Sequence, residues 1–468
     1  MKKTRFILLI LIAGFFLAFT VSPVGAYHTH FGPSELIYYD ASKSAGGYNL
    51  FSPFSGTRTY LIDMEGRLVH TWPIPNADQG FSIEKMAVLN EDNGNLLRRI
   101  KIGGHRRKGE THLQEVDWDN NILVDVVDTR ENYLHHHAYR KIFNASLGEY
   151  TYLSTASRDL THEEAIQAGA DPALRDDYTS RPDGIVELDQ AGNVVWEWNP
   201  FEHLVQDVDA TKDNFGVVAD HPEKFDLNFG HGRSGDWIHM NSLDYNPKTG
   251  YIVFHCDTHS EIWMIDHDGT FIAGDAAASI AAAAGPGGDI LWRWGNPAVY
   301  DAGEGQWATE RDGATDGDQQ GFHVHDIQFI RDAHYPGGPA LPGAGNLLQF
   351  DNGSRWISRA YHSRILEINP FVSGLDAEGE PIVGDVMVFQ PDAGYHNVGG
   401  RNTSNQIVWS YFSKENNCFY ARNISGMQRM PNGNTVVCSG TWLYFFEVTD
   451  EGEVVWEYKN PVCRRGIV

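Results

Sequence analysis

One short phrase recurs six times along the chain: an apolar pair, a larger side chain that is usually Trp, a polar residue and a final apolar residue. It reads LVHTW at 68–72, ILVDV at 122–126, VVWEW at 194–198, ILWRW at 290–294, IVWSY at 407–411 and VVWEY at 454–458. Alternation of this kind fits a half-buried strand, and the Asn-Pro that closes three copies (199–200, 296–297, 460–461) ends it in a turn. A second phrase stands upstream and turns into the first through Gly: TYLIDMEG, GIVELDQAG, IWMIDHDG, RILEINP and FFEVTDEG. A third, NGNLL, GNLLQF or NGNTVV, comes before that. Three consecutive antiparallel strands with a fourth leading in make a propeller blade, so the expectation is an all-β, six-bladed β-propeller over residues 55–468. Its blades average roughly 65 residues against the usual 40 to 45. Long insertions must therefore sit in some of them, at 156–182, 199–236, 273–288 and 298–322, and they are expected on one face, walling a pocket. The Ala-rich stretch 276–284 reads as a short helix.

The chain opens with a basic start (Lys2, Lys3, Arg5), an apolar run from Phe6 to Val21 and the small residues Val24-Gly25-Ala26. This pattern is a secretory signal peptide over 1–26, with an N-terminal extension at 27–54 and a periplasmic or secreted mature protein. The balance of 36 basic against 62 acidic residues gives a net charge of −26. Such a surface argues against nucleic acid and against stable membrane association as partners. None of the four cysteines, Cys256, Cys418, Cys438 and Cys463, stands in CxxC spacing, which excludes thiol-redox, zinc-ribbon and c-type haem motifs. Pairing of Cys418 with Cys438 or Cys463 and buried free thiols both remain open. Sequons at Asn144, Asn352, Asn402 and Asn423 and the Asp-rich loop Asp312 to Asp318 read as accidental and as solvated, respectively.

The chemistry lies where the lead-in strands begin: YLHHHAYRKI (133–142), DWIHMNSLDYN (236–246), GFHVHDIQFI (321–330) and ISGMQRMPNGN (424–434). First strands line the axis of a propeller, so His136 or His137, His239, and His323 or His325 are expected at one rim. His135 is the weakest of the run of three, because neighbouring side chains on a strand point to opposite faces. Nearby, LQFDNGSRW places Asn352 and Arg355 after a strand, and the Arg fork suits sulfate, phosphate or carboxylate oxygens. Imidazoles with an Arg make an oxyanion cradle, whereas imidazoles alone make a metal site.

The ordered set DWIHMNSLDYN, IWMIDHDG, ILWRWGNP, HDIQFI, GAGNLLQFDNGSR, SRILEIN, ISGMQRMPNGNTVV and FFEVTDEGEVVWEYKNP resembles the arylsulfate sulfotransferase family of exported bacterial enzymes. The resemblance implies a six-bladed propeller and a transferase moving a sulfuryl group from an aryl sulfate to a phenol, without a cofactor, through a channel histidine. By motif, it implies that His239 and His325 hold the sulfate and that Arg355 binds it, with His137, His323, Asn352 and His396 facing a small aromatic substrate. The family's nucleophilic histidine falls beyond the DNG motif; here only His362 and His396 follow Arg355, and none follows Asn397. Two further readings therefore stand beside it. One is a copper or iron oxidoreductase liganded by His136, His137, His239 and His325; the other is a propeller that only binds ligand.

Overall fold

The computed structural model describes residues 35–467 apart from 55, 76–81, 91–92, 103–109, 132, 172, 174–180, 230–236, 304–317, 354–361, 390–394, 399–400, 413–418 and 464–465. Residues 1–26, Arg355 and Cys418 lie outside the described residues, as does most of the Asp-rich loop. The chain is a six-bladed β-propeller. Blades 2 to 5 are four-stranded antiparallel sheets that begin at Ser82–Leu89, Tyr133–Asn144, Met240–Asn246 and Val324–Phe329. Blade 1 has three described strands, Tyr48–Phe51, Arg58–Asp63 and Leu68–Pro73. In blade 6, which begins at Gly426–Arg429, the strand Glu35–Tyr39 pairs outside the last strand, Val454–Lys459. Residues read from sequence as an N-terminal extension thus lie on blade 6 and blade 1.

All six copies of the Trp phrase lie on the outermost sequential strand of their blades. The indole N–H is what the position is for. Trp196 donates to Thr270 Oγ1 at 3.0 Å, Trp292 to Val388 O at 2.9 Å, Trp409 to Asp450 O at 2.8 Å and Trp456 to Met64 O at 2.7 Å, each on the following blade. In blade 1, His70 occupies the equivalent place and Trp72, two residues on, donates to Asp117 O of blade 2 at 3.0 Å. A buried indole joins a large apolar surface to one obligatory donor, so it packs a blade interface and fixes its register together.

The core lies between blades. Six buried clusters each combine side chains of two successive blades, and one of them, with Phe51, Ile62 and Met64 against Phe445, Trp456 and Tyr458, joins blade 6 to blade 1. Blades covered on both faces are buried along whole strands, as in Met240–Asn246, where six of seven residues are buried. The Ala-rich segment forms a helix at Ala276–Ala283, N-capped by Asp275, and packs along Val194–Trp198 of blade 3. It sits in a connection from third to fourth strand, which leaves from the opposite end of the strands to the second-to-third and blade-to-blade connections. The insertions that begin at the histidine end are therefore those at 156–182, 199–236 and 298–322. Cys256 and Cys438 are free thiols.

Candidate active site

The first strands of successive blades pack around the axis, and their N-terminal ends carry the histidines. A β-bulge interrupts each of the three that matter: opposite Ser154 to Ala156 in blade 3, at Met240 to Ser242 in blade 4 and at His325 to Gln328 in blade 5. A bulge re-aims the side chain beside it, and here the local backbone is left-handed at His137 (φ 53°), His323 (φ 56°) and Asp326 (φ 54°). Left-handed non-glycine residues cost free energy and persist where the surroundings hold them. Thr155 Oγ1 donates to the His136 carbonyl, and a buried Arg99 donates to the His137 carbonyl at 2.8 Å. Asp326 is held by the Met427 N–H at 3.0 Å, and only a glycine fits at 426, since a Cβ there would lie 2.3 Å from Asp326 Oδ2.

Two groups of side chains lie at this rim. On blades 3 and 4, His136 Nδ1 and His137 Nδ1 are 2.5 Å apart, and the His137 ring meets His239 edge-on with centroids 4.6 Å apart. His136 Nε2 lies 2.8 Å from Oδ1 of the buried Asp183. On blade 5, His323 Nδ1 pairs with Asp257 Oδ1 at 2.6 Å, and the His323 and His325 rings meet with centroids 5.2 Å apart. His325 Nδ1 donates to Asn352 Oδ1 at 2.7 Å, while its Nε2 accepts the Ile424 N–H at 3.3 Å, which fixes the neutral Nδ1–H tautomer. His239 joins the groups: Asp257 N donates to its carbonyl at 3.0 Å, and its charge is felt by Asp257, His323 and His325.

The two blade 5 histidines are driven apart in protonation. Burial, with the neighbouring His323 adding to it, pushes His325 down to about 3. Burial also pulls on His323, but the Asp257 carboxylate more than offsets it and raises His323 above its ordinary value. Asp257 itself, although buried, is held below the usual carboxylate range by His323. The rim thus favours the protonated form of His323 beside an unprotonated His325.

The structure brings together His136, His137, His239, His323, His325 and Asn352 of the residues singled out from sequence. Arg355 lies outside the described residues, and His396 is on the separate hairpin strand Tyr395–Val398. His135 turns away from the rim and is buried between Asp128 and Ser154, at 2.9 Å from each. For a metal, the residues among those described whose ligand atoms all lie within 4.8 Å of one another are Asp257, His323 and His325, so this group shares only His325 with the four-histidine set read from sequence. Both nitrogens of His325 and Nδ1 of His323 already face protein partners.

Sequence reasoning missed Asp183, Asp257 and His255. Asp257 stands seven residues after the turn glycine Gly250, as Asn352 stands seven after Gly345, so blade-on-blade alignment of the second strands would have found it. His255 is fully buried, with its Nδ1 3.2 Å from Asn241 Oδ1, and burial holds it well below its ordinary value.

Among solved structures, the chain is similar to a protein of unknown function from Bacteroides caccae, at 11% identity over 88% of this chain and 93% of that one, with a TM-score of 0.40. A streptogramin B lyase is similar at 10% identity over 92% of this chain and 84% of that one, TM-score 0.34. The virginiamycin B lyase of Staphylococcus aureus follows at 8% over 92% and 90%, TM-score 0.33. The comparison with curated proteins found no match. Among the described residues, no helix is long and apolar enough to cross a membrane. Residues 140–278, the stretch that carries Asp183, His239 and Asp257, match the family model described as Arylsulfotransferase (ASST).

Proposed function

We propose that this protein is an exported transferase that moves a sulfuryl group from an aryl sulfate to a phenol through a sulfated histidine, and that His325 carries the group. The observation that carries the reading is the meeting, at one rim, of a cationic His323 and an unprotonated His325 beside His239, in a chain whose residues 140–278 match the arylsulfotransferase family. His325 Nε2 is unprotonated at every pH above its depressed value of about 3, the state a nucleophile needs, and its attack on sulfur must displace the long bond of 3.3 Å that it accepts from the Ile424 N–H. A weakly basic imidazole is also a good leaving group, which favours the second half of the reaction.

In the first step, Nε2 of His325 attacks sulfur as the bond from sulfur to the aryl oxygen breaks, and the departing phenolate takes a proton. In the second, the acceptor phenol oxygen attacks sulfur, the bond from sulfur to nitrogen breaks and the phenol proton leaves. The His323 cation and His239 stabilise the charge on the three sulfuryl oxygens, with Arg355 assigned to them by its motif. His137, Asn352 and His396 are assigned to the aromatic substrate and its surroundings. No resident cofactor is required, and export is assigned from the leader. Incubating the purified protein with a chromogenic aryl sulfate and a phenol should release the chromophore and sulfate the acceptor. His325→Ala should lower that rate on the order of a thousandfold while the melting temperature stays within a few degrees. A variant that keeps full turnover would remove His325 from the role.

A further inference from the structure

We propose that Asp183, His136 and His137 form a proton relay that serves the phenol oxygen, with His137 touching the acceptor and His136 and Asp183 acting as positioning residues. This inference rests on the sulfuryl-transfer reading above. A carboxylate only accepts, so His136 must present Nε2–H to Asp183 Oδ1 at 2.8 Å. That leaves the lone pair on His136 Nδ1, facing His137 Nδ1 at 2.5 Å, so His137 must present Nδ1–H. The chain of two bonds thereby places the His137 lone pair on Nε2. Asp183 is buried and has no freedom to rotate out of the arrangement, because its other oxygen accepts the Met240 N–H at 2.6 Å. Both histidine carbonyls are also held, by Thr155 and by Arg99. The left-handed backbone at His137 turns its ring against His239, which in turn lies close enough to His325 to act on its charge.

Sulfuryl transfer runs in line, so attacking and departing oxygens lie across sulfur from the His325 nitrogen, where the relay has His137 meet them. In the first step, the His137 imidazolium gives its Nε2 proton to the departing phenolate. In the second, the neutral His137 takes the proton of the acceptor as the new bond from oxygen to sulfur forms. Each time, the charge on the imidazole pair is balanced by Asp183, and no external acid or base is consumed.

Asp183→Asn tests the relay because it inverts the tautomers. The single amide oxygen of the variant must keep the Met240 N–H, which turns its NH₂ toward His136 Nε2. His136 then donates from Nδ1, and the proton of His137 is forced onto Nε2, where it can no longer accept. With a phenol that is un-ionised at the assay pH, the transfer rate should fall about 100-fold or more. With a nitrophenol that is already ionised, the loss should shrink to less than about tenfold, since no proton has to be removed. His136→Phe, which keeps a ring in place but breaks the chain of bonds, should give the same dependence on acceptor, and a thermal melt confirms that both variants fold. Equal losses with the two acceptors in both variants would overturn the relay and leave sulfuryl transfer standing. A wild-type protein that sulfates neither acceptor would overturn the sulfuryl-transfer reading itself.

Discussion

His323 and His325 flank Val324, where the first strand of blade 5 begins, yet their surroundings shift them in opposite directions. The difference is one neighbour each: a carboxylate from blade 4 for His323, an amide oxygen from its own blade for His325. Asp257 raises His323, so the cation is present below that raised value and is lost as pH rises through it. Turnover that depends on this cation should therefore fall on the alkaline side. In Asp257→Asn the fall should move to lower pH, because the charge that stabilised the protonated ring is gone; a profile of rate against pH measures this. An unmoved alkaline limb would remove His323 from the cradle. The histidines were legible in the sequence because four lead-in strands could be stacked and three of them began with imidazole. Asp183 and Asp257 were not, because a single aspartate at a strand end looks like any turn residue until the partner blade is known. His135 illustrates the other side: its alternation with His136 is a property of any strand, and it points into Asp128 and Ser154.

At the scale of the element, two devices recur and hold blade to blade. One is the Trp N–H described above. The other is a buried Glu on the third strand that accepts from an Asn of its own blade and from a group on the next: Glu115 from Asn95 and Lys141, Glu187 from Asn144 and His267, Glu367 from Asn346 and Arg429. In blade 6, Glu447 accepts from Asn434 and from Ser44 Oγ and Ala45 N of the N-terminal segment. The Glu187 staple is the one whose partner on the next blade is a histidine. Burial opposes the charge on His267, but its bonds to Asp268 and Glu187, each 2.7 Å, raise it to about 9. A raised value means that this stabilisation is complete below the ordinary 6.5 and is lost as pH rises through about 9. The melting temperature should accordingly decline between those limits. His267→Asn should flatten that part of the curve and destabilise the protein at neutral pH by about 3 kcal/mol, the cost of breaking a buried pair. An unchanged slope would place the pair outside the cooperative unit. The six Trp phrases were readable from sequence because large apolar residues at fixed spacing stand out. Glu187, Glu367 and Glu447 stand in the second repeated phrase, but their partners lie on another blade or on the N-terminal segment, and no local pattern announces them.

For the whole molecule, the ring is closed by the chain's own start. Glu35–Tyr39 adds to blade 6, the next strand opens blade 1, and Lys43 bridges back to Glu453 at 2.7 Å. The count of six blades came through from sequence intact, whereas this closure did not, because Glu35–Tyr39 lacks the repeated phrase and pairs with residues more than 400 positions away. Closure fixes the angle between successive blades, and that angle is what brings side chains of blades 3, 4 and 5 to one point on the axis. The overall charge of −26 opposes an anionic donor at long range, so attraction for sulfate must be local, at the His323 cation and the group around it. The central claim is that this rim carries a sulfuryl group on histidine. It is tested most directly by mixing the wild-type protein with an aryl sulfate in the absence of acceptor, quenching under alkaline conditions that preserve sulfohistidine, and reading the peptide masses. The account predicts a stoichiometric burst of phenol and one added SO₃ on the peptide that contains His325, absent in His325→Ala. Transfer to an added phenol with neither burst nor modified histidine would contradict it.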